Sequence, residues 1–368
     1  MKDMKIKHTN EIASVLRQVE TTMQQNESTA DTFNSYLSHR SQRMFSFSLD
    51  AYRKGAKPID AFLLSSKKYL MDEHGFHLNE EAKRNIQVLS PKDYIDDPYY
   101  KTINFENCFL NEWELKRSFY APFEGFVRNE IIVKEKEFFR EITPFGFFLD
   151  RFPFLEITQN ERTWMSVTPH EIATMKEPLS HANGRVLTFG LGMGYYAFMA
   201  SIKETVSNVT IVENDKNAIS LFNNFILPQF PFKSKISIIE NDAFRFAEEI
   251  KDGDFDHTFI DIWHFPIDGL FSYLKFAPIF STFHRTETFY WIEKSILVLL
   301  RRAIVILLNE EFNGSTGEDY LYAENETDEL INSLHRVLKD YSVNTSDDLL
   351  RLLSEDSLKR IAREGLIQ

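Results

Sequence analysis

From Arg185 to Ala197 the chain reads Arg-Val-Leu-Thr-Phe-Gly-Leu-Gly-Met-Gly-Tyr-Tyr-Ala, a stretch that few folds accommodate. A short apolar run stops at three alternating glycines, 190, 192 and 194, and Phe198, Met199, Ala200 and Ile202 then continue in a helical pattern. The spacing predicts a central parallel strand that turns through glycine into a helix. Glycine lets backbone approach a ligand closely, and the helix start offers free N–H groups.

Beyond Ile202 the chain alternates in the α/β manner. Strands are predicted at 208–212, 235–239 and 256–260, ending in Glu213-Asn214-Asp215, Glu240-Asn241-Asp242 and Asp261-Ile262-Trp263-His264. A helix over 286–301 and a fifth strand over 303–308 are expected to complete a doubly wound, Rossmann-like sheet. Residues 146–312 form this domain. Ahead of it, 1–145 reads as a mainly helical region that caps the substrate, with amphipathic stretches at 9–25, 30–40, 57–71, 79–88 and 110–142. Residues 91–102 read as a loop, and 143–159 as a hairpin or extended segment. Thr168-Pro169-His170-Glu171 matches a capping box with proline at the first helical position. Residues 311–323 read as a polar loop, and 313–368 end the chain with amphipathic helices. The 34 phenylalanines, dense between 105 and 154, predict an aromatic core or domain interface.

In a doubly wound sheet the carboxyl ends of the strands share one crevice. Glu213 stands where an acid can accept both ribose hydroxyls of an adenosine ligand, or simply end a strand in solvent. Asp242 can accept from an adenine amino group beside the backbone of Ala243, and can equally cap the next helix. A dinucleotide fingerprint read from Gly190 fails at Tyr195. Read from Gly192 it passes formally with Ala197, but leaves the alternation from Gly190 unexplained. The pattern therefore favours S-adenosylmethionine (SAM).

Phe189-Gly-Leu-Gly-Met-Gly194, Val212-Glu213-Asn-Asp215, Asn241-Asp242-Ala243 and Phe259-Ile-Asp261 resemble the successive motifs of class I SAM-dependent methyltransferases. Pro169-His170-Glu171, Pro178-Leu179 and Val186-Leu187 resemble the lead-in of the spermidine-synthase-like branch. The resemblance covers roughly 165–310. It implies that Gly190, Leu191, Gly192 and Gly194 meet the amino-acid part of SAM, Glu213 and Asn214 the ribose, and Asp242 with Ala243 the adenine. Two departures stand out: Met193 where aminopropyltransferases carry an acid, and His264-Phe265-Pro266 where they carry an aspartate before the proline.

Methyl transfer needs a near-attack geometry, and a base only when the nucleophile must lose a proton. Asp261, also a candidate cofactor contact, and His264 are the candidate catalytic residues; Trp263 and Tyr195 are the candidate pocket walls. No metal is expected, because the ten histidines are dispersed. A net charge of −13 disfavours nucleic acid and leaves a small-molecule acceptor ahead of a protein. One cysteine and no apolar segment behind the charged N-terminus fit a cytoplasmic, reducing setting without a membrane span. The expected activity is SAM-dependent methyl transfer. The alternatives are aminopropyl or aminocarboxypropyl transfer, and a non-catalytic SAM-binding protein.

Overall fold

The computed structural model describes residues 4–74, 78, 80–105, 107–314 and 326–366. Its centre is a five-stranded, wholly parallel sheet made of β1 (Gly184–Phe189), β2 (Val206–Glu213), β3 (Ile236–Glu240), β4 (His257–Ile260) and β5 (Glu287–Tyr290). The order is β3-β2-β1-β4-β5. Helices α1 (Tyr195–Ser201), α2 (Lys216–Leu221), α3 (Ala243–Glu249) and α4 (Pro266–Ser281) connect the strands, and α5 (Glu293–Asn313) comes after the last. The fold is α/β and doubly wound, as the sequence pattern predicts. Val186 to Phe189 are all buried, which is why β1 reads as an unbroken apolar run. The chain reverses its order across the sheet between β1 and β4, so the crevice opens there.

Several sequence expectations give way. The fifth strand is Glu287–Tyr290, and 303–308 lies inside α5, a 21-residue helix. Its buried face is broad, spanning Ile296 to Leu308, so its apolar residues run almost without a break and include Ile306, which is 47% exposed. Even Arg301 is buried, its Nε donating to the Leu353 carbonyl at 2.9 Å and its guanidinium lying over the Phe139 ring. The 16-residue α4 stands before β5, in a stretch to which the sequence pattern assigns no element. Residues 110–142 form strands, among them Trp113–Tyr120, whose inward positions alternate beneath a dense covering of charge.

At the N-terminal end, 9–25 and 30–40 merge into one helix, Asn10–His39, followed by Gln42–Arg53 and Pro58–His74. Residues 91–102 hold two short helices, and 143–159 is strand. A four-stranded sheet (Cys108–Leu110, Trp113–Tyr120, Phe152–Gln159, Arg162–Val167) leads into the helix Pro169–Thr174. Phenylalanines 33, 62, 123, 145 and 147 build a separate aromatic core, with Phe33 stacked on Phe145 at 4.6 Å and Phe62 on Phe147 at 5.0 Å. Beyond α5 the described residues hold the helices Glu326–Leu338, Ser346–Leu352 and Glu355–Ala362. Lys5–Ile6 pairs in parallel with Ser342–Val343, bringing segments far apart in sequence side by side. Beyond Gly314, the polar loop expected at 311–323 lies outside the described residues. None of the described helices is long and apolar enough to cross a membrane.

One buried histidine ties fold stability to pH. His257 of β4 is fully buried and its Nε2 shares a 2.6 Å hydrogen bond with the Tyr196 hydroxyl. Burial, helped by Lys203 and His181, pushes its pKa down to about 4. The unfolded chain therefore binds a proton near pH 6.5 that the folded chain refuses, so stability rises with pH between about 4 and 6.5. The expected span is about 3 kcal/mol. Urea unfolding across this range should show that slope, and His257→Gln, which keeps a hydrogen-bonding group but cannot charge, should flatten it. An unchanged slope in the variant would assign it to other groups.

Candidate functional site

The strand ends stay level and then part. Gly190 N donates to Val212 O at 2.9 Å and Asp261 N to Phe189 O at 2.9 Å, so the peptide joining Phe189 to Gly190 is gripped from both sides. Gly190 takes φ +91°, and a Cβ there would sit 1.9 Å from the Asp261 carbonyl oxygen. Only glycine fits that junction. Beyond it opens a cleft of about 400 Å³. Its walls hold Gly190, Leu191 and Gly192 from the loop, Glu213, Asn214, Asp242 and Ala243 from the next two strand ends, and Asp261, Trp263 and His264 after β4.

Glu213 is held by backbone. Its Oε2 accepts from Leu191 N at 3.1 Å, and its Oε1 from Asn214 N at 2.8 Å and Asp215 N at 2.9 Å. The carboxylate thus ties the glycine loop to the end of β2, and the residue also lines the cleft. Asp242 caps α3, its Oδ1 accepting from Arg245 N at 2.9 Å, and it too lines the cleft. Its capping role and its place in the cleft therefore coexist geometrically.

Asp261 lies on the floor, and no hydrogen-bond donor among the described residues reaches its carboxyl. Burial pushes its pKa well above the usual carboxylate range, and the negative charge of Glu171 adds to the rise. Glu171 belongs to Pro169–Thr174, and its buried Oε2 has no partner among the described residues. The helix begins at Pro169 as expected, but Thr168 makes no side-chain cap bond, so the capping box is not formed. Trp263 is a fixed wall: its indole N–H donates to the Trp291 carbonyl at 3.2 Å and Gly269 packs on its ring. His264 stands at the mouth, largely exposed, its Nδ1 3.8 Å from Asp268 Oδ2. Beside it Phe265 and Ile267 are 68% and 69% exposed.

Two predicted site residues fall outside the cleft. Tyr195 is buried and its hydroxyl donates to Asp97 Oδ2 at 2.9 Å, facing the N-terminal region. Gly194 packs against the ring of Phe222, where a Cβ would come within 2.3 Å, so its glycine serves helix packing. Conversely, Trp164 and Met165 form the wall facing the loop, and Asp215 and Asn241 join the acidic side. Trp164 and Met165 carry no signal in the sequence, because only the pairing of Arg162–Val167 in its antiparallel sheet brings them here.

The charge of the lining is one-sided. Glu213, Asp215, Asp242 and Asp261 contribute four carboxyl groups, and no lysine or arginine lines the cleft among the described residues.

No protein-family model matches the chain, and no curated protein matches it either. Among solved structures it is similar to a spermidine synthase in complex with the transition state analogue AdoDATO. That match has 17% identity and a TM-score of 0.29, and covers 37% of this chain and 51% of that one. A spermidine synthase from Thermotoga maritima matches at 12% identity and a TM-score of 0.29, over 41% of this chain and 58% of that one. A conserved hypothetical protein from Streptococcus pyogenes matches at 21% and 0.22, over 27% and 60%. Each of these matches spans less than two thirds of the other chain.

Proposed function

We propose that the cleft binds SAM and that the protein transfers its methyl group to a small-molecule acceptor. The observation that carries this is the one-sided lining, four carboxyl groups and no lysine or arginine among the described residues. Such a lining repels the two phosphates of a dinucleotide and attracts a sulfonium cation. Bound there, SAM would supply an electrophilic methyl group. Glu213 would take the ribose hydroxyls, Asp242 and the Ala243 backbone the adenine, and the backbone from Gly190 to Gly192 the amino-acid end. Asp261, whose carboxyl has no hydrogen-bond partner among the described residues, would orient the acceptor or take its proton, while Trp164 and Met165 would close the opposite wall. The chain's acidity supports a metabolite rather than nucleic acid as acceptor.

A second reading has a specific observation behind it. With no lysine or arginine among the described lining residues to balance the carboxylate of SAM, the decarboxylated cofactor also suits the cleft, and aminopropyl transfer to an amine would then occur. Met193 and His264-Phe265-Pro266 weigh against it. Calorimetric titration with SAM, S-adenosylhomocysteine and NAD tests the cofactor, and absence of heat with both sulfur ligands would sink the proposal. Incubation with acceptor mixtures then separates the chemistries: S-adenosylhomocysteine marks methyl transfer and methylthioadenosine aminopropyl transfer. Binding with neither product would leave a SAM-binding protein without turnover. Asp261→Asn is expected to keep S-adenosylhomocysteine affinity within about threefold while turnover falls by about 10²-fold or more. A matching loss of affinity would make Asp261 a cofactor contact instead.

A further inference from the structure

We infer that Tyr99, reaching out of the N-terminal region, is a positioning residue for the glycine loop. Tyr99 is fully buried and its hydroxyl donates to the Met193 carbonyl at 2.6 Å. That carbonyl lies one residue ahead of the first acceptor of α1, the Gly194 carbonyl, which takes Phe198 N at 2.8 Å. Gly194 N closes the loop on Leu191 O at 2.8 Å, and the Met193 carbonyl is left to a side chain from far away. Asp97 makes the anchor rigid. Its Oδ1 accepts from Tyr99 N at 2.9 Å, fixing the start of the helix Pro98–Thr102, while its Oδ2 accepts from the Tyr195 hydroxyl at 2.9 Å. The Tyr100 hydroxyl donates to the carbonyl of Val167, the last residue before the turn into Pro169–Thr174. Edge-on contacts from Tyr99 to Tyr195 at 5.3 Å and to Phe198 at 5.4 Å complete the joint.

One turn, Asp97 to Tyr100, thus touches the glycine loop, the helix behind it and the segment leading to Glu171. Loop backbone facing the cleft at Leu191 and Gly192 is held from two directions, by Glu213 on the sheet side and by Tyr99 behind Met193. The consequence for affinity rests on the proposed SAM site; the consequence for loop order does not.

Tyr99→Phe removes one oxygen and keeps the ring. Hydrogen–deuterium exchange of the unliganded protein should show amides 191–194 exchanging about tenfold faster, as expected for one buried hydrogen bond, with β2 and β4 unchanged. S-adenosylhomocysteine affinity should fall about tenfold with them. Exchange that stays at the wild-type rate in the loop, or rises evenly across the sheet, would overturn the inference, as would faster loop exchange with unchanged affinity. If the wild type binds no sulfur ligand, the SAM proposal fails, and the exchange pattern alone decides the role of Tyr99. Should Tyr99→Phe not fold, Tyr195→Phe cuts the neighbouring bond to Asp97 and is read the same way.

Discussion

Glu213→Ala is expected to weaken S-adenosylhomocysteine binding by about 2–4 kcal/mol, a loss of roughly 30- to 1000-fold. On the proposed SAM site the effect exceeds that of one ribose contact, because the carboxylate would work twice. It accepts from Leu191, Asn214 and Asp215 backbone N–H groups, so its removal frees the loop as well as the ligand. Glu213→Gln keeps the length but turns an NH₂ group toward donors, and should recover only part of the loss. Calorimetric titration of both variants checks the order wild type, Gln, Ala. Equal affinity in all three would reduce Glu213 to the solvated end of a strand.

Gly190→Ala is expected to cost about 4 kcal/mol or more of folding stability, because the added Cβ meets immobile backbone. The Asp261 carbonyl oxygen would lie 1.9 Å away, and the Asp261 N–H is itself bonded to Phe189 O, so neither strand can move without breaking β1 from β4. Gly192→Ala is the control. Its Cβ would meet the mobile end of Met165 at 3.2 Å, and the remaining penalty is the left-handed φ of +50°, about 1–2 kcal/mol. Urea unfolding of the pair should separate them clearly. A Gly190→Ala protein as stable as Gly192→Ala would contradict the close approach of the two strands.

The contrast between these glycines shows what the sequence could and could not reveal. β1 to β4 were legible because central parallel strands are buried on both faces and end in a glycine or acid at the crevice. The strand-end residues Glu213, Asp242, Asp261 and His264 inherit their common location from that topology, so chain order alone brings them together. Gly194 and Tyr195 look like part of the same motif, yet their partners, Phe222 and Asp97, are chosen by tertiary packing. The second half of α5, 303–308, escaped because the apolar run of a broadly buried helix and a buried strand share one signature, and only length separates them. Trp164 and Met165 could not be read at all, and Glu171 only as part of a helix start. They enter through a hairpin and a short helix whose placement depends on pairing with Trp113–Tyr120, far back in the chain.

The pairing of Lys5–Ile6 with Ser342–Val343 carries a kinetic consequence. The Ser346 hydroxyl likewise donates to Glu11, 335 positions away. During synthesis Lys5–Ile6 emerges long before its mate, and the helix Asn10–His39 behind it must wait for part of its final packing. Contacts of such sequence separation slow folding and expose apolar surface meanwhile. The closing of this pair is therefore a late act of folding, deferred until the segment around Val343 has left the ribosome.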